Sequence, residues 1–334
     1  MNKTNTLLQI IENFSQKRIV VWGDFILDEY LFGTTRRISR EAPVLILSYK
    51  DKQFSLGGGG NSLLNLKSLG AEPVPLGVIG QDDAGKKILR LLKQKKIRTD
   101  FIATEKDFPT PVKTRILAGE ETARKQQILR IDREAKVPDN RPLKELIEKS
   151  LKTVRKGAEA LLISDYDYGT VREDIFRRIL PAYKKSSIPV SLDSRFRLLS
   201  FKGITVVTPN EPEVEEALHL RLDDDFNTVK TAGKALLRES QARSILITRG
   251  SQGMVLFERG KGPFLIPIFG TPDIVDVTGA GDTVISVFTL ALASGASSRD
   301  AARLANYAGG IVVMKKGTAT LTAQELRQAI ESEN

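Results

Sequence analysis

The chain has 334 residues, 41% hydrophobic and 28% charged, with no cysteine, one histidine (His219) and a formal net charge of +10. That balance gives one large globular domain or two ordinary ones, long enough to bury a core without covalent staples. It excludes disulfides, zinc–thiolate and iron–sulfur sites, a cysteine nucleophile, a multi-histidine metal centre and a Ser-His-Asp triad, so acid–base chemistry falls to Asp, Glu, Lys or Tyr. The positive charge sits in short pairs such as Arg36-Arg37, Lys95-Lys96 and Lys184-Lys185 without interleaved aromatics. Most of these are solvated faces rather than a nucleic-acid groove, and small phosphorylated ligands stay open as partners. Residues 1–17 hold no signal-like apolar stretch, and the most apolar run, 284–293, is too short to span a bilayer. No nucleic-acid or membrane partner and a cytoplasmic location are expected.

In chain order, residues 19–22 are a β-branched and aromatic run ending at Gly23-Asp24, a buried strand entering a loop. Glycines 57–60 open a helix in which Leu63, Leu64, Leu66 and Leu69 recur at helical spacing, and 74–79 and 84–95 read as the next strand and helix. Strand–helix alternation builds a mostly parallel α/β sheet. It is interrupted at 32–55 and at 110–132, which predict a small β-sheet beside the main one. It resumes with helix 141–154, strand 160–164, helix 172–185, strands 189–193 and 204–208, helices 211–219 and 226–239, and strands 244–248, 254–258 and 264–269. Helices 279–294, 298–314 and 322–332 close the chain. With no repeat or long linker, one α/β domain over 1–334 with a β appendage is expected.

The strongest local feature is Asp276-Val277-Thr278-Gly279-Ala280-Gly281-Asp282-Thr283, directly ahead of an apolar helix. Gly279 and Gly281 let the backbone turn tightly and present N–H groups at a helix N-terminus, which attracts anions. Asp282 beside such a site could take the proton of a hydroxyl attacking phosphorus, or could simply complement the helix dipole. Gly57-Gly58-Gly59-Gly60-Asn61 is either a polar-ligand loop or a flexible helix entry; Asn61 and Asn65 share one helix face. Residues 80–87 mimic a phosphate-binding loop until Lys87, which replaces the hydroxyl residue, and Asp82-Asp83 put negative charge where phosphates would lie, so this reading is rejected. Asn210 and Glu213, three apart after a strand, offer oxygen ligands suited to Mg²⁺, or a helix cap. Thr248-Arg249-Gly250-Ser251-Gln252-Gly253 joins two strands as a hairpin turn whose N–H groups could face a nucleotide.

Together and in this order, from Val20 to about Ala323, these motifs resemble the ribokinase-like (PfkB-type) family of carbohydrate kinases. Residues 23–28, 37–44, 57–70, 163–166 and 276–287 are similar to the kinase portion of its heptose-phosphate branch, which phosphorylates D-glycero-β-D-manno-heptose 7-phosphate at O1 during ADP-heptose synthesis for lipopolysaccharide cores. The resemblance implies a three-layer αβα sandwich with a β-sheet lid made by the two insertions. It implies Asp282 as general base, with the N–H groups of Gly279, Ala280 and Gly281 stabilising the transferred phosphoryl. ATP would lie near Asp193, Asn210, Thr248, Gly250 and Gly253, with its adenine against Asn306 and Gly310. Mg²⁺ would be placed through water by Asn210 and Glu213; a monovalent cation is left open. Asp28, Gly57, Gly58, Asn61 and Asp165 would hold the sugar. Arg37, Lys113, Arg115 and Arg130 of the lid are candidates for gripping a 7-phosphate, with plain surface charge as the alternative. Two lids are expected to pair in a homodimer, which would cover their edges.

Branch members often carry an adenylyltransferase domain; with the chain ending at Asn334, that activity is expected elsewhere. Two departures stand out. Asp167-Tyr168-Gly169 replaces a segment with Lys, and Asp193-Ser194-Arg195 stands where Asp-Pro-Lys is usual. Both put the exact sugar in question. Another sugar, sugar-phosphate or nucleoside kinase, or a non-catalytic binding protein of this fold, are the competing readings.

Overall fold

The computed structural model describes residues 3–119, 125–223, 225–270 and 274–333; the stretch 120–124, inside the second predicted insertion, lies outside the described residues. The chain opens with α1 (Lys3–Glu12) and β1 (Arg18–Gly23), and two long strands, β2 (Phe25–Ile38) and β3 (Leu45–Gly58), follow. Next come α2 (Gly59–Ser68), β4 (Glu72–Gly80), α3 (Asp83–Gln94), β5 (Phe101–Glu105), β6 (Val112–Gly119) and β7 (Gln126–Arg133). The middle holds α4 (Arg141–Val154), β8 (Ala160–Asp165), α5 (Glu173–Lys185), β9 (Val190–Ser194), β10 (Val206–Val207), α6 (Glu211–Leu218) and α7 (Phe226–Glu239). The last part holds β11 (Ser244–Thr248), β12 (Met254–Glu258), β13 (Phe264–Ile266), α8 (Ala280–Ala293), α9 (Ser298–Val313) and α10 (Ala323–Glu331).

Nine strands form the main sheet in the order β13-β12-β11-β10-β9-β8-β1-β4-β5. Its pairings are parallel from β5 to β11 and antiparallel at β11–β12 and β12–β13. Both faces are covered, and the pleat divides each strand between two cores. Ile19 and Val21 of β1 join the side packed by α1, α2, α3, α8, α9 and α10, while Val20 and Trp22 join the side packed by α4, α5, α6 and α7. The chain starts in mid-sheet at β1, runs outward to β4 and β5, then returns to β8 on the other side. The carboxyl ends of β1 and β8 therefore flank a point where strand order reverses, the place where open α/β sheets bind ligands.

The smaller sheet has the order β3-β2-β6-β7. It begins at Phe25, earlier than the predicted 32, because Phe25, Ile26 and Leu27 are all buried and show no alternation. Two further elements are additional to the predicted ones. One is α1, whose Leu7, Ile10 and Ile11 become core residues within the cluster that also holds Leu326 and Ile330 of α10. The other is β5, which pairs with β4 at the sheet edge. The strands predicted at 204–208 and 264–269 are shorter, at Val206–Val207 and Phe264–Ile266. Among the described residues no helix is long and apolar enough to cross a membrane.

Candidate active site

Helix α8 begins at the switch point. Its N-cap is Gly279, in the left-handed region with φ 78°. A Cβ there would lie 2.4 Å from the Asn61 Nδ2. Gly281, two residues on, has open space where its side chain would be. The Ala280 N–H donates to the Val277 carbonyl (3.2 Å), which corrects the expectation that it is free to meet a phosphoryl group. Gly281 keeps that possibility.

Asp282, buried in the first turn of α8, is held by donors from two distant segments. Asn61 Nδ2 donates to Asp282 Oδ2 (3.0 Å) and to the Gly279 carbonyl (3.3 Å), and the Tyr166 hydroxyl donates to Asp282 Oδ1 (3.3 Å). The amide of Asn61 is itself oriented, because its Oδ1 accepts from Asn65 Nδ2 (3.3 Å). Asn61 thus reaches the carboxylate, where the sequence suggested a bond to sugar. Burial, reinforced by Asp193 and Asp28, pushes the Asp282 carboxyl up to about 8 against the two donors. A carboxylate poised near neutral pH can act as a general base.

The small sheet supplies the opposite wall. Asp28 pairs in register with Lys113 of β6, and Arg115 with Arg130 of β7, so the period of two puts these side chains on one face. Asp28 and Arg115 form a buried ion pair, and a Cβ at Gly57 would sit 2.5 Å from Asp28 Oδ2. Arg115 is therefore committed to Asp28 and is not a free phosphate grip. Lys113 is buried over the Tyr166 ring, 5.1 Å from its centroid, and burial followed by the nearby Arg195 lowers its pKa. Arg130 borders a cleft of about 490 Å³ together with Lys136, Tyr166, Arg195 and Phe196. Arg37 does not belong here. It is exposed near the end of β2, nine residues from Asp28, or about 30 Å along an extended strand.

Asp165 is also corrected. Its carboxylate accepts from Ser194 Oγ (2.7 Å) and is ion-paired with Arg197, which also reaches Asp167 (3.0 Å). It braces the ends of β8 and β9 rather than facing the cleft. Asp24, at the end of β1, plays a similar part: its carboxylate accepts the N–H groups of Tyr166 (2.9 Å), Tyr168 (3.1 Å) and Thr170 (3.2 Å). Tyr168, in place of the usual Lys, donates to Glu134 (2.6 Å) and links the body to the end of β7. Arg195 and Tyr166 are the residues the sequence did not assign; Arg195 was visible only as a departure from Lys.

At the other end, Asn210 and Glu213 form a capping box, Asn210 Oδ1 accepting from the Glu213 N–H (2.9 Å) and Glu213 Oε2 from the Asn210 N–H (2.9 Å). Burial pushes Glu213 up to about 7, and burial together with Glu213 and Asp165 pushes Asp193 up to about 8. Two half-buried carboxylates that repel each other are a fit for a divalent cation, which would relieve both. Among the described residues no cluster of three or more such groups forms a cage, so an ion here would keep much of its water, as Mg²⁺ does.

The nucleotide candidates divide. Thr248 ends β11 and Gly250, at φ 51°, has nothing within 4 Å of its Cβ position. Gly253 and Gly310 are glycines for packing, since a Cβ would meet the Ile266 carbonyl at 2.2 Å and the Phe269 carbonyl at 2.4 Å. Asn306 donates to the Pro267 carbonyl (2.9 Å), so its amide is spent on the fold. The rejected stretch 80–87 is a helix cap: Asp82 accepts from the Gly85 N–H (2.8 Å) and Thr110 Oγ1 (2.6 Å).

Comparison with known proteins adds to this geometry. The family described as pfkB family carbohydrate kinase matches residues 16–325. The chain is 36% identical over 312 residues to the bifunctional protein HldE of Pelobacter propionicus, covering 93% of this chain and 62% of that protein. It is 36% identical over 327 residues to the bifunctional protein HldE of Haemophilus influenzae, covering 98% of this chain and 66% of that protein. The chain thus spans just under two thirds of the length of these relatives. In fold it is similar to Arabidopsis thaliana ribokinase complexed with ribose and ATP (TM-score 0.72, 22% identity, 95% of this chain and 99% of that one). It is similar also to phosphofructokinase-2 from Escherichia coli in complex with substrates and products (TM-score 0.75, 20% identity, 95% and 99%).

Proposed function

Because the chain belongs to the pfkB family of carbohydrate kinases, ATP-using phosphotransferases that act on a sugar hydroxyl, we propose that Asp282 is its general base and that its acceptor is O1 of D-glycero-β-D-manno-heptose 7-phosphate. The observation that carries the chemistry is the convergence of Asn61, Gly279 and Asp282 at the start of α8. The sugar oxygen attacks the γ-phosphorus as its proton passes to Asp282; the new O–P bond forms while the bond to ADP breaks. The Gly281 N–H and the helix N-terminus stabilise charge on the moving phosphoryl group. Asn210, Glu213 and Asp193 would hold Mg²⁺, which when bound neutralises phosphate charge. Thr248 and Gly250 border the nucleotide. A monovalent cation is an open addition to this set.

The heptose assignment rests on the resemblance of residues 23–28, 37–44 and 57–70 to that branch and on relatives named HldE. The product would be the 1,7-bisphosphate of the ADP-heptose route. Asp28, Gly57 and Gly58 line the sugar side; of the cations around the cleft, Arg130 is paired with Asp132 (2.9 Å) and Lys136 with Asp167, which leaves Arg195 as the one that suits a distal phosphate. The small sheet acts as a lid that keeps water from competing as acceptor. Its exposed Ile38, Val44, Leu45, Tyr49, Leu129 and Ile131 favour lid pairing in a homodimer.

ATP consumption measured against heptose 7-phosphates and common hexose and pentose phosphates tests the reading, with the product's new phosphate located by phosphorus NMR. Preference for the β-heptose 7-phosphate with phosphate at O1 is expected. Preference for another acceptor keeps the kinase and removes the heptose.

A further inference from the structure

Tyr166 stands where three parts of the site meet, and the transfer scheme above does not use it. Its backbone is fixed at the end of β8 by the bond from its N–H to Asp24. Its ring fills the space that the missing side chain of Gly58 leaves, since a Cβ there would come within 3.1 Å of Tyr166 Cε2. Lys113 of the small sheet lies over the ring, its Nζ 5.1 Å from the centroid. With ring and backbone held, the hydroxyl is delivered to Asp282 Oδ1 (3.3 Å) while Asn61 holds Oδ2 (3.0 Å).

We propose that Tyr166 is a positioning residue for proton abstraction: its hydroxyl and the Asn61 amide grip the two oxygens of Asp282 separately, which sets the plane of the carboxylate and favours its ionised form. The proposal rests on the reading of Asp282 as base. The groups facing Asp282 explain why such a grip is needed. Asp193 from β9 and Asp28 from β2 both oppose its charge, as does burial, and the opposing bonds come from Asn61 and Tyr166. Lys113 from β6 reaches the ring of Tyr166. Burial beside Asp282, Asp193 and Asp28 raises the phenol well above its ordinary pKa, so the hydroxyl keeps its proton and can only donate to a carboxylate. Removing that donor leaves one hydrogen bond against two repelling carboxylates, and Asp282 then takes up its proton at higher pH.

The test is Tyr166→Phe, which keeps the ring against Gly58 and Lys113. Rates are measured from pH 6 to 9.5 with heptose 7-phosphate and, in parallel, as acceptor-free ATP hydrolysis, in which water gives its proton to the same carboxylate. The acid limb of kcat should move up by about half a unit to one unit. The rate at pH 7 should fall about 3–10-fold and recover most of that loss by pH 9, with KM for ATP unchanged. A loss equal at all pH values, or a profile superimposed on that of the parent, overturns the proposal. Asp282→Asn measured alongside separates the two ideas. If that variant keeps turnover, the base assignment itself fails; if it is inactive and the Tyr166→Phe profile is unshifted, only the role of Tyr166 falls.

Discussion

Replacing Gly281 by alanine should separate folding from chemistry at the start of α8. Gly281 is in the first turn without a positive φ, and a Cβ there meets no atom within 4 Å. Alanine is favoured over glycine in a helix by about 0.5–1 kcal/mol, so the variant should melt roughly 1 °C higher than the parent. On the proposed reading, however, the methyl group would project into the space that the phosphoryl group takes. Losing one donor of this kind costs about 10²–10³-fold in rate, so kcat should fall by at least about 10²-fold in a protein that is more stable. Gly279→Ala provides the contrast. Its φ of 78° costs an alanine about 1–2 kcal/mol, and the Cβ would lie 2.4 Å from Asn61 Nδ2, displacing an amide bonded to a charged carboxylate for about 1.5–3 kcal/mol more. The sum, about 3–5 kcal/mol, is a large part of a typical stability of about 5–15 kcal/mol. Thermal melts and coupled ATP-turnover assays on both variants decide the matter. A Gly281→Ala protein that folds and keeps kcat within about threefold of the parent would refute the placement of the phosphoryl group at this helix start.

Three further outcomes are expected. Asp282 holds its proton to about pH 8 in the fold against an ordinary 3.8, so the native state binds the extra proton between those values and stability falls as pH rises through them. Asp282→Asn should abolish turnover while ATP still binds, and its gain in melting temperature over the parent should be larger at pH 8.5 than at pH 5; a gain independent of pH contradicts the assigned burial of charge. Arg115→Ala leaves Asp28 buried without its partner and should destabilise by about 3–5 kcal/mol in denaturant melts, with Arg115→Met/Asp28→Leu recovering much of it. Arg195→Ala should raise KM for a phosphorylated sugar more than for its dephosphorylated analogue, whereas Arg37→Ala should leave that difference unchanged under conditions where the protein is monomeric; equal effects of Arg195→Ala on both sugars would remove it from the phosphate subsite.

What could be read from the sequence was what short windows encode. Helices α4 and α7 have the bounds that their apolar period predicts, and the strand–helix alternation was enough for a mostly parallel sheet. The glycine run before Asp282 marked the start of α8 because backbone geometry and helix polarity are local properties. Partnership is not local. Asn61 and Tyr166 reach Asp282 across 221 and 116 residues, and no periodicity in either segment announces the meeting. For the same reason Asp165, Asn306 and Arg115 looked available in sequence, yet Arg197, Pro267 and Asp28 consume them in the fold. Arg37 shares a strand with Asp28 but lies about 30 Å along it. Composition and period determined the layers and the chemical types on hand; the crossovers of the sheet decided which of those groups face one another, because a buried polar group takes whatever partner the packing brings within hydrogen-bond distance.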